Sequence, residues 1–195
     1  MFLTQTDEAT ATGAVADYFA SQRKSWGFLP NYAQCFTTRP DVAQAWATLN
    51  LTIRNGMDRR RFELATIAAA RARRSTYCTA AHSTFLRDVC GDEATLDSLA
   101  DDPTGASLDP VDAAVVRFAA QVAGDASSVV QDDVDALLAL GLTEADVADI
   151  VFAAAARAFF TAVLDGLGAQ LDEQTAASLG PRLLSWVVVG RPPAG

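Results

Sequence analysis

Glu63, Cys78 and His82 are the residues in this chain whose types and spacing could do chemistry together. His82 is the only histidine, and Cys78 lies four positions before it, which puts both side chains on one helix face. A thiol can attack or be oxidised, an imidazole can move its proton, and a carboxylate can orient the imidazole or accept the proton. Ser75 is placed to cap a helix, so Cys78 falls in the first turn, where unpaired backbone N–H groups and the helix dipole favour a thiolate. Tyr77 adds a phenol beside the thiol. One histidine and three scattered cysteines are too few soft ligands for a zinc site, and no cofactor is implied. Bland readings exist for each residue. A free cysteine commonly behaves as a small buried hydrophobe, His82 can be a satisfied core histidine, and Glu63 can pair with Arg59 or Arg60 on its own helix.

Positioning these groups requires helices. Apolar residues recur at three and four positions across most of the chain, and alanine outweighs β-branched residues. Asp7 to Lys24 reads as a first helix, ended by Trp26-Gly-Phe-Leu-Pro30. Pro40 opens a second, with Val42, Ala45, Trp46, Leu49 and Ile53 in line, stopping near Gly56. Asp58 caps the helix that carries Glu63, whose nearly all-round apolarity predicts a central position. The corner Arg73-Arg74-Ser75-Thr76 leads into the Cys78 helix, which is expected to run to Cys90 and end at Gly91. A short helix over 92–100, one from Asp109-Pro110 to about Ala123, one over Gln131–Leu140 and a long one from Thr143 to Gly166-Leu-Gly168 complete the set. The last resembles the 59–80 region, as a weak internal duplication would. Residues 180–195 form an apolar tail expected to dock on a neighbouring surface or subunit.

The 195 residues suit a single domain spanning 1–195, and half of them are hydrophobic, enough for a core. A net charge of −9 argues against nucleic acid and anionic membrane surfaces. No run approaches the ~20 consecutive apolar residues of a membrane span, and the first residues lack the pattern of a secretory signal. Cys35, Cys78 and Cys90 form no disulfide framework, so a reducing cytoplasm is the expected location. Cys90, about 18 Å beyond Cys78 on a straight helix, is assigned to packing, as is Cys35. The cluster Arg59-Arg60-Arg61 reads as a solvated helix start or an oligomer contact.

The positions of Glu63, Ser75, Cys78 and His82 resemble those of the alkyl hydroperoxidase D (AhpD-like) and carboxymuconolactone decarboxylase family. Its redox motif is a glutamate, eleven further residues and then C-x-x-C-x-x-x-H. Leu29-Pro30, Leu108-Asp-Pro110 and Leu140-Gly-Leu-Thr143 extend the similarity over roughly 25–170, closest to the peroxidase-related branch. The resemblance implies an all-α, AhpD-like bundle, a homo-oligomer, and catalysis by Glu63, Cys78 and His82 with Ser75 and Tyr77 in support. Ser75 stands where the family has its first cysteine, so the two-cysteine disulfide cycle is absent. The expected activity is then that of a single-cysteine peroxidase acting on a small hydroperoxide and reduced by an external thiol. A lyase using Glu63 and His82 on a lactone or carboxylated substrate is the alternative. A non-catalytic oligomer, marked by a buried Cys78 with no cavity beside it, is the third.

Overall fold

The computed structural model describes residues 1–193; residues 194 and 195, the end of the expected apolar tail, lie outside the described residues. Those described form α1 (Gly13–Trp26), α2 (Pro40–Gly56), α3 (Arg59–Ala72), α4 (Thr76–Asp88), α5 (Glu93–Asp101), α6 (Pro110–Asp125), α7 (Gln131–Ala139), α8 (Glu144–Leu167) and α9 (Glu173–Val187), with no strand among them.

The caps show why the helices begin where they do. Asp58 accepts from the Arg61 N–H at 2.8 Å to open α3. Asp109 accepts from Val111 and Asp112 ahead of Pro110 in α6. Thr143 and Asp146 form a reciprocal capping box on α8. At the far end of α8, Gly168 has φ +77°, and a Cβ there would meet the Phe2 ring at 2.9 Å. Both the left-handed backbone and the close approach therefore call for glycine.

α3 is the central helix. Phe62 through Ala70 are all buried, and the alanines let α4, α6 and α8 approach it closely. α8 is long and apolar enough, by length and composition alone, to cross a bilayer, which counting unbroken apolar runs overlooks. Here it packs against α3 and α6, with half of its most apolar window buried.

Several expectations need correction. The first helix starts at Gly13, not Asp7; Asp7 instead caps a single 3-10 turn, Glu8–Thr10. α4 ends at Asp88, two residues short of Cys90. The apolar line on α2 reaches the core only in part: Val42, Trp46 and Ile53 are half-buried and pack against it, while Ala45 and Leu49 are exposed. α9 was not expected at all; it kinks at Gly180, φ +68°, before Pro181. Nor is the arginine cluster simply solvated. Arg59 pairs with Glu63, Arg60 with Asp92 and Asp112, and Arg61 with Asp146.

After α9 the tail packs on its own chain. The Gly190 N–H donates to Thr76 Oγ1 at 3.1 Å, and Arg191 donates to the Asp165 carbonyl while its guanidinium lies over the Phe2 ring. Trp186 packs under the Arg71 guanidinium and accepts from it through its carbonyl.

Candidate active site

The chain turns from α3 to α4 through Arg74, at φ +56°, a left-handed conformation unusual for a residue with a side chain. This corner brings Glu63 of α3 against His82 of α4. Glu63 is fully buried, and both of its oxygens are engaged. Oε1 accepts from Arg59 Nε at 2.6 Å, and Oε2 lies 2.5 Å from His82 Nδ1. Burial pushes the Glu63 carboxyl up, but His82 and Arg59 outweigh it and hold it below the ordinary range. Burial, reinforced by the positive charges of Arg157 and Arg59 and opposed by Glu63, pushes His82 down to about 4. The pair is therefore a carboxylate and a neutral imidazole. A carboxylate only accepts, so the ring proton sits on Nδ1 and leaves Nε2 as a base.

Cys78 sits at the third position of α4 and is 2% exposed. The expected thiolate is not found in this environment: burial pushes the thiol above its ordinary value, against the opposing pull of Arg157 and Ser75. Desolvation outweighs the helix dipole here, because the sulfur has lost its water. Arg157 of α8, 3% exposed, lies with Nη1 3.8 Å from Cys78 Sγ and Nη2 3.3 Å from Asn50 Oδ1 of α2. Its guanidinium faces the rings of Trp46 and Phe160 at 5.5 and 5.4 Å. No hydrogen bond joins Cys78 to His82 among the described residues.

The two supporting residues do other things than expected. Ser75 precedes α4 as its N-cap, yet its side chain is buried and makes no capping bond. The Tyr77 hydroxyl donates to Asp172, whose other oxygen accepts the Asn31 N–H at 2.6 Å, so the phenol is committed away from the thiol. Burial and the Asp172 charge hold Tyr77 well above the ordinary phenol range.

Cys78, Glu63, His82 and Arg157 all line one chamber of about 110 Å³. Aromatic side chains, including Trp26, Tyr32, Trp46 and Phe85, make up much of its wall, and several of them also line a wider outer cleft of about 340 Å³. Arg157, Asn50 and these rings were not anticipated. The available signal was Arg157 itself, a single charge inside the apolar run VFAAAARAFFTAVL; a charge at that place is buried and has to be matched.

Residues 40–120, which include Glu63, Ser75, Cys78 and His82, match the model of the Carboxymuconolactone decarboxylase family. No curated protein matches the sequence. Among solved structures, the alkylhydroperoxidase AhpD core, a peroxidase-related protein from Ralstonia eutropha JMP134, superposes with a TM-score of 0.78 at 21% identity, covering 89% of this chain and 93% of that one. A peroxidase-related protein from Silicibacter sp. TM1040 gives 0.75 at 18%, over 88% and 93%. A cysteine-to-alanine variant of the debrominase Bmp8, in complex with 2,3,4-tribromopyrrole, gives 0.75 at 17%, over 92% and 96%. The fold is thus the all-α, AhpD-like one, and residues 40–120 carry the carboxymuconolactone decarboxylase family pattern on it.

Proposed function

We propose that this protein is a peroxidase-related oxidoreductase that works through one cysteine. The reading rests on one observation: a buried thiol with a guanidinium at its sulfur opens on the same chamber as a carboxylate–imidazole pair. His82 Nε2 takes the Cys78 proton, and Arg157 stabilises the thiolate in a site that otherwise disfavours charge. The sulfur attacks the hydroperoxide, the O–O bond breaks, and the leaving alkoxide takes the proton back from His82. The products are an alcohol and a Cys78 sulfenic acid. One external thiol displaces water to form a mixed disulfide, and a second releases Cys78 with the reductant oxidised. Glu63 holds the imidazole in register and balances its transient charge.

Ser75 cannot resolve the sulfenic acid, which makes the reductant an outside molecule. A homo-oligomer is part of the same proposal. The chamber beside Cys78 speaks against a non-catalytic role, and the debrominase complex gives a precedent for a small ring as occupant of this fold.

Peroxide titration with a sulfenic-acid trap, followed by mass spectrometry, tests the reading. Cys78 is expected to be trapped ahead of Cys35 and Cys90; oxidation no faster than that of a free thiol rejects it. The acid–base pair and the family description together support a second reading, a lyase acting on a lactone or carboxylated substrate through Glu63 and His82. Activity that survives Cys78→Ala and is lost in His82→Ala selects that reading.

A further inference from the structure

The charge balance of the chamber is uneven. Of the acidic groups on its wall, Glu63 has both oxygens occupied by Arg59 and His82, while Arg54, Arg59 and Arg157 face the same space. Arg60 and Arg61, nearer the surface, each have carboxylate partners. Arg157 is far more buried, yet no carboxylate pairs with it among the described residues, and its Nε has no hydrogen-bond partner. Taking an arginine out of water without an anion is costly. An anion entering the chamber would supply what the chain omits.

The rest of the wall limits which anion. Trp26 packs against Phe85 at 5.4 Å and Tyr32 at 6.1 Å, and Phe85 against His82 at 5.5 Å, so ring surfaces dominate. Such walls suit a flat π system and offer little to a fully hydrated inorganic ion. The volume of about 110 Å³ is of the order of the ~150 Å³ engineered cavity that accepts benzene. One ring fits beside Arg157.

We propose that the chamber selects a small monocyclic aromatic anion, with its ring against Trp26, Tyr32 and Phe85 and its negative group on the Arg157 guanidinium. This deepens the functional reading above, since it takes the chamber to be the substrate site, and it makes Arg157 the specificity-determining residue.

Benzoate, benzyl alcohol and cyclohexanecarboxylate are the probes. Binding is read by tryptophan fluorescence, because Trp26 and Trp46 line the chamber while Trp186 is packed on Arg71 elsewhere. Benzoate is expected to bind at least about tenfold more tightly than benzyl alcohol, the effect of one charge-assisted contact, and about fivefold more tightly than cyclohexanecarboxylate, the effect of an aromatic ring against aromatic walls. Arg157→Met is expected to bring benzoate down to the level of benzyl alcohol while leaving benzyl alcohol unchanged, with circular dichroism reporting the fold of the variant. Should that variant not fold, the wild-type series decides alone. Benzyl alcohol binding as well as benzoate removes the anion, cyclohexanecarboxylate binding as well removes the ring, and no saturable benzoate signal overturns the proposal. Cys78→Ala cannot form a sulfenic acid but is expected to keep its benzoate affinity, so failure of the binding proposal and failure of the redox reading are seen separately.

Discussion

The two walls of the chamber are built on opposite principles. On the α3–α4 side, both Glu63 oxygens are engaged, one by Arg59 and one by His82, and the pair is closed off by the chain itself. On the α8 side, Arg157 reaches a sulfur at 3.8 Å and an amide oxygen at 3.3 Å and leaves Nε unmatched. The first wall is a finished structural unit that also holds a base. The second is complete only when something that the chain does not provide is present. Stability should therefore depend on the first wall, and ligand selection on the second.

The largest effect expected from breaking this contrast is on Glu63. Glu63→Ala leaves Arg59 and His82 facing an empty, buried position, and a loss of about 3–5 kcal/mol in urea unfolding is expected. Next comes acid. His82 binds its proton near 6.5 in the unfolded chain but only at about 4 in the folded one. Between those values the unfolded state holds more protons, so stability falls as pH drops from 6.5 to 4, by up to about 3 kcal/mol. Glu63, held below its ordinary value, contributes stability that is present above that value and lost as pH falls through its lower folded one, so it acts in the same direction. Unfolding curves at a series of pH values check this. Because His82 is the only histidine, His82→Gln should remove the part of the slope that lies above the ordinary carboxylate range. The smallest change is expected at the other wall. Arg157→Met replaces an unpaired buried charge with an apolar side chain of similar length, and its stability should stay within about 1 kcal/mol of wild type, or rise. A loss as large as that of Glu63→Ala would show that the two walls are equivalent after all.

The finished wall was legible in the sequence and the open one was not, for a physical reason. Asp58, Glu63, Ser75, Cys78 and His82 lie within one helix–turn–helix stretch, where caps and four-residue spacings are local and carry direct geometric meaning. Arg157 lies 79 positions from Cys78 and Asn50 another 28 before it, so their meeting depends on how α2 and α8 cross α4. Periodicity along one helix carries no information about that crossing. The same limit explains the thiol. A position in the first turn of a helix is visible in sequence, but the loss of solvent around Cys78, which decides its protonation, is set by tertiary packing. α9 escaped because Gly180-Pro181 interrupts its pattern midway. The α1 boundary was misplaced because Asp7 is a good cap for the shorter turn that precedes it.

The docked tail carries a consequence for the order in which the molecule matures. Trp186, Val189 and Gly190 meet Arg71, Arg74 and Thr76 across separations of 114 and 115 residues. At a synthesis rate of ~5–20 residues per second, those partners leave the ribosome roughly ten seconds apart. During that interval α3 and α4 can already have formed, while the entry to the cysteine helix lies open on the side that the tail later covers. The first turn of the cysteine helix is therefore held on its tail side only once residues 186–190 have been made.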